Sequence, residues 1–242
     1  MLLLFLLPVV ACGLEVFVYL EPPLETSISP SLTSDSAESI ATVRFRHNVR
    51  NDTVEFLGYE IYYRFYIDIE EDELFQEHRR TVNAADSLRP DRLLPDLGYR
   101  RLTRADSVLR PLIRIDSEIR NNEVDVPVDV VFFPTGEEDP GDVPSDDAYA
   151  RWPANVGQTV FEVITLRRTV DAETDRESFF PIDGTNYNSE RHRDVSAAIR
   201  EAVVDGQTIS IGLFVFALGT TLQGVPLYSE AVPLLYANLN DL

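Results

Sequence analysis

Residues 59–68 read YEIYYRFYID, and their strict alternation constrains the fold more than any other feature of the chain. Tyr59, Ile61, Tyr63, Phe65 and Ile67 fall on one side; Glu60, Tyr62, Arg64, Tyr66 and Asp68 fall on the other. Side chains of a strand point alternately to opposite faces, so this run predicts a long strand with one face in a core. A helix would scatter the same apolar residues around its circumference.

The period-two pattern recurs. In ATVRFRH, Ala41, Val43 and Phe45 alternate with polar residues, and EVDVPVDVVFF places Val124, Val126, Val128, Val130 and Phe132 on one side. QTVFEVITLRR is rich in β-branched residues. TISIGLFVFAL sets Ile209, Ile211, Leu213, Val215 and Ala217 on one face, and its other face turns apolar at Phe214, Phe216 and Leu218. GTTLQG then reads as a hairpin loop leading into VPLYSEAVPLLY, where Pro233 predicts an edge position. Two helices are expected. In residues 70–86 acids precede arginines, as the helix dipole favours, and Leu74, Phe75, His78 and Val82 share a face. In residues 194–204, Asp194 reads as the N-cap and Asp205-Gly206 as the stop.

Of 242 residues, 44% are hydrophobic, which is enough for a sizeable core. Acids outnumber bases 41 to 21, and every base is arginine, giving a formal net charge of −20. Such a surface repels nucleic acid and anionic headgroups, so no nucleic-acid partner is expected. Residues 79–120 break the trend with ten arginines against six acids. They are expected to pair with the molecule's own carboxylates, the alternative being an acidic partner.

The single cysteine, Cys12, closes the apolar run LLLFLLPVVA of residues 2–11. A helix needs about 20 residues to span a bilayer, so the run suits the h-region of a secretory signal peptide instead. Val9, Val10, Ala11, Cys12 and Gly13 resemble the lipobox of bacterial lipoproteins. The resemblance implies cleavage before Cys12, acylation of its thiol, a membrane partner through that lipid, and localisation in the bacterial cell envelope. The expected organisation is a signal peptide over 1–11, an N-terminal tether over 12–39, and a single β-sandwich domain over 40–242.

FLGYEIYYRFY, IATVRFRH and IGLFVFALGTTLQGVPLYSEAVPL resemble the third, second and last two strands of fibronectin type III and immunoglobulin-like domains. That resemblance implies a mainly β fold, an immunoglobulin-like antiparallel β-sandwich with long insertions and one or two short helices. Residues 69–205 are far too long for the usual middle strands and hold the large insertion. The tryptophan that such domains often bury early is missing, since the only one is Trp152.

No nucleophile elbow, zinc-protease helix or phosphate-binding glycine loop is present in the sequence. His47, His78 and His192 lie far apart and are expected to be solvated, so catalysis is not expected; an envelope hydrolase would need a pocket joining a histidine to a serine or carboxylate. No cofactor is expected. The one alternative is calcium at the acidic loop 137–147, where Glu137, Glu138, Asp139, Asp142, Asp146 and Asp147 crowd together without matching an EF-hand. Tyr62, Arg64 and Tyr66 on the outward face of their strand are candidate ligand contacts; a strand covered on both faces would give the same pattern. The expected role is structural or binding, with recognition of a glycan or protein as the alternative.

A net charge of −20 implies self-repulsion, which counterions screen within about 10 Å at 0.1 M ionic strength. The thermal midpoint of the protein should therefore rise between low salt and molar sodium chloride. A flat or falling midpoint would mean that the arginines already neutralise the acids locally.

Overall fold

A computed structural model describes residues 19–30, 41–51, 55–67, 72–85, 90–123, 125–132, 148–169, 176–178 and 194–238. The two long alternating runs form its centre. β3 (Phe56–Ile67) and β9 (Ile209–Thr220) pair antiparallel along their whole length, with Ile61 opposite Val215, Tyr63 opposite Leu213 and Phe65 opposite Ile211. The two apolar faces lie side by side on neighbouring strands and line one core.

The remaining strands extend this pair. β4 (Arg100–Arg104) lies beside β3, followed outward by β7 (Phe161–Thr169), β6 (Tyr149–Pro153), β5 (Pro127–Val131), β2 (Ala41–Arg46) and β1 (Leu24–Pro30). β10 (Pro226–Tyr228) and β11 (Val232–Asn238) share the opposite edge of β9, and β8 (Arg176–Ser178) pairs with β7. Every pairing is antiparallel, and the sheet curls so that β11 approaches β1 and β2, giving a half-barrel. The long segment between β3 and β9 thus contributes β4 to β8 to the sheet, together with helices. Leu24–Pro30, within the stretch read as a tether, contributes a strand.

The concave side holds the main core. Val43, Phe45, Val128, Val130, Ala150, Trp152, Ile164 and Leu166 come from one half of the sheet and the inward residues of β3 and β9 from the other. A helix, α4 (Ala197–Val204), packs against β3 and β9 and adds Ile199 and Ala202. Its N-cap is Ser196, whose hydroxyl accepts from the Ile199 amide at 3.2 Å. Asp194 is not the cap that was expected. It accepts from the wholly buried Arg168 guanidinium and from Tyr63 Oη at 2.8 Å, because a buried guanidinium requires a carboxylate partner.

On the convex side a second apolar layer covers β3 and β9. α1 (Asp72–Asn83), the first expected helix, and α2 (Pro90–Asp96) bring Phe75, Val82 and Leu94 down on Tyr62, Tyr66, Phe214 and Phe216. Phe75 stacks on Phe214 with centroids 4.6 Å apart. Gly212 makes room for this contact: a Cβ there would lie 2.8 Å from the Phe75 ring. Farther round the same side, Asp129 lies directly between Arg44 and Arg151 on neighbouring strands, at 2.6 and 3.1 Å, so some arginines do neutralise the protein's own acids.

These contacts rank substitutions. Phe65→Ala and Leu213→Ala should each cost about 2–5 kcal/mol through lost transfer energy and a residual cavity. Arg64, read from sequence as an outward side chain, donates to the Leu97 carbonyl at 2.5 Å and lies 4.8 Å from the Tyr66 ring centroid. Arg64→Ala should therefore cost on the order of 1–3 kcal/mol, as the loss of a charge-assisted hydrogen bond does. Denaturant midpoints of the three variants check this order; an Arg64→Ala variant indistinguishable from the parent would contradict the packing around α2.

Candidate functional site

Among the described residues a cleft of about 740 Å³ lies beside the start of β3. Its wall is built by residues 105–116, which return from β4 along β3. Tyr59 and Ile113 exchange backbone hydrogen bonds of 2.8 and 3.0 Å, and this bridge pins the returning segment. Gly58 allows the approach, since a Cβ there would fall 2.1 Å from the Ile113 carbonyl oxygen. On the far side, Arg104 Nε donates to the Leu112 carbonyl at 3.0 Å. A short helix, α3 (Ser117–Asn122), completes the wall; the Asp116 carboxylate caps it by accepting from the Glu118 amide at 3.2 Å.

Four arginines line this cleft: Arg104, Arg110, Arg114 and Arg120. They differ in how firmly they are held. Arg110 donates to Glu60 Oε1 at 3.0 Å, to Tyr62 Oη at 3.4 Å and to Tyr228 Oη. Glu60 is completely buried and also accepts from Arg101 at 3.3 Å. Burial works against the Arg110 charge, but Glu60 outweighs it and raises the arginine's pKa. Arg120 donates to the Asn51 carbonyl at 3.4 Å and lies 5.0 Å from the Phe56 ring centroid. Arg114 is exposed. Two acids, Asp116 and Glu162, share the lining. Burial raises the Glu162 pKa, with Arg104 and Arg114 opposing and Asp116 adding to the rise. With four bases against two acids, the lining is positive on a chain whose net charge is −20.

The candidate contacts Tyr62 and Tyr66 lie elsewhere, buried beneath α1 and α2. Tyr66 Oη hydrogen-bonds Tyr99 Oη and His78 Nδ1, and Tyr62 packs edge-on against Phe216. Arg64 joins His78 and Tyr66 in that layer. The reason is β9, whose second face is apolar at Phe214 and Phe216 and draws a cover over both strands. Cys12, the acidic loop 137–147 and His192 lie outside the described residues. Among the described residues no group of three or more His, Cys, Asp or Glu side chains is placed to hold a metal ion. The cleft residues Arg110, Arg114 and Glu162 were not singled out from sequence. Their one advance signal was the arginine-rich stretch 79–120, which supplies all four lining arginines. No family model matches the chain, and no curated protein or solved structure matches it.

Two of the three histidines expected in solvent, His47 and His78, are instead buried. His47 Nδ1 hydrogen-bonds Tyr59 Oη at 2.7 Å beside Phe56, and burial, aided by the positive charge of Arg120, pushes its pKa down to about 4. The folded chain thus leaves His47 neutral where the unfolded chain takes up a proton near 6.5. Its contribution to stability is complete above that pH and is lost as pH falls towards about 4. Urea midpoints of His47→Gln should lack this part of the acid slope, worth roughly 3 kcal/mol across the window. Parallel profiles for variant and parent would contradict the burial of His47.

Proposed function

We propose that this chain is a lipid-anchored protein of the bacterial cell envelope with a binding role and no catalysis. The observation that carries the binding role is the arginine-lined cleft beside β3. Its volume lies in the range of small-ligand pockets. Its wall is fixed by the Tyr59–Ile113 bridge and by the Glu60–Arg110 pair, so the site is formed before a ligand arrives. Arginine holds its proton at any physiological pH and suits anion recognition better than proton transfer. Anchoring rests on the lipobox-like residues 9–13. Two or more acyl chains bind a membrane stably, whereas one binds it marginally. No helix among the described residues is long and apolar enough to cross a membrane.

The immunoglobulin-like relation belongs to the same reading. It is supported by the order β3, β9, β10, which places the segments resembling the third and last two strands next to one another. It is also supported by β4, whose first residues pair with β3 and whose later residues pair with β7. A strand that changes partners in this way makes the corner between two packed sheets.

In a bacterial host the protein should begin at Cys12 and carry added acyl mass in the membrane fraction. Cys12→Ser should leave it uncleaved or soluble. Intact-mass spectrometry of fractionated cells checks this; unmodified Cys12 in a membrane-free fraction would remove the anchor from the reading.

A further inference from the structure

The binding role just proposed leaves the ligand open, and the cleft's chemistry narrows it. We propose that the cleft takes a small anion bearing at least two carboxylate or phosphate groups, with Arg114 and Arg104 as its principal contacts. The inference rests on the cleft being a binding site.

Three observations lead there. First, the lining reverses the sign of the molecule: four arginines against two acids, on a chain in which acids outnumber bases 41 to 21. Of the four, Arg110 shares the buried Glu60 with Arg101 much as Arg44 and Arg151 share Asp129, so the excess charge rests on Arg104, Arg114 and Arg120. Second, two of these arginines are fixed by the protein itself. Arg110 is held by Glu60, Tyr62 and Tyr228, and Arg120 by the Asn51 carbonyl and Phe56. They supply charge from a rigid position and need not reorganise. Third, Arg114 is exposed, Arg104 is half-buried with its Nε bonded to the Leu112 carbonyl, and both line the cleft with Glu162 and oppose the rise in its pKa. A ligand anion would replace that partial compensation with charge-assisted hydrogen bonds, which guanidinium groups make bidentately to carboxylates and phosphates. Glu162 and Asp116 then set selectivity: they repel a ligand whose charge extends to their side and accept from any hydroxyl or ammonium group placed there. Four arginines against two acids leave the lining with a formal excess of two positive charges, so the balance favours a ligand with at least two negative groups.

The test is calorimetric titration of the full chain, purified in detergent at low ionic strength, with citrate, pyrophosphate and the neutral disaccharide maltose. Citrate or pyrophosphate should bind one to one, and the tighter of the two identifies a carboxylate or a phosphate ligand. Arg114→Ala should weaken that binding by roughly tenfold or more, the loss of one charge-assisted hydrogen bond. Arg92→Ala, which removes an exposed arginine of α2 outside the cleft, should leave it unchanged. Both substitutions are at exposed positions, and unaltered melting of each variant certifies the fold. Equal weakening by the two would show diffuse charge attraction and overturn the proposal. Maltose binding that is lost in Arg114→Ala, with neither anion bound, would keep the cleft as a site and overturn its anion chemistry. Binding of none of the three would overturn the anion assignment and withdraw the observation on which the binding role rests.

Discussion

The structure depends on one pairing, β3 with β9. Each strand is twelve residues long, and almost every residue of both is buried. A strand pair with both faces covered cannot end at its own edges; it needs a layer on each side. The concave layer is the rest of the curled sheet with α4, and the convex layer is α1 and α2. The cleft follows from the same pair, since its wall is chain that leaves β4 and is bridged back to β3 at Tyr59.

Such a pair also has polar positions that burial makes costly, and two of them are met through arginine. Glu60 on the convex face meets Arg101 and Arg110. Tyr63 on the concave face meets Asp194, which is bound to Arg168. Guanidinium is less strongly hydrated than ammonium and reaches several acceptors from one rigid plane, so it enters buried pairs more readily than lysine. A chain with no lysine is suited to these positions. Breaking one partner of a buried pair leaves an uncompensated charge, which makes these contacts severe points of failure even though an apolar replacement of the whole pair could be neutral.

The strands were legible because their period of two reflects which face meets a core. β2, β3, β5, β7 and β9 all stand where the alternation placed them, and so does the first helix. Closure was not legible: nothing in ATVRFRH or VPLLYAN states that β2 and β11 approach one another, because pairing partners are chosen by distant contacts. The double cover of β3 was half legible. Tyr62 and Tyr66 look outward in their own run, and only Phe214 and Phe216, far along the chain, mark that face as buried. Asp194 shows how a local rule yields to tertiary demand. It has the chemistry and spacing of an N-cap, but Arg168 required a carboxylate and Ser196 could cap in its place. The cleft was least legible, since Gly58, Arg110, Arg120 and Glu162 are scattered in sequence and meet only when the sheet curls.

The pairing of Ile61 with Val215 joins positions separated by well over half the chain. Loop closure on that scale carries a large entropy cost before any contact repays it, and topologies dominated by distant pairings fold slowly. Until β9 is available, β3 lacks the neighbour that pairs with its full length, and α1 lacks the Phe214 ring on which Phe75 stacks. The order of synthesis therefore delays assembly: the chain gains its central pair only when its C-terminal part is present. A polypeptide built this way leaves β3 without its full-length neighbour until almost all of the chain has been made.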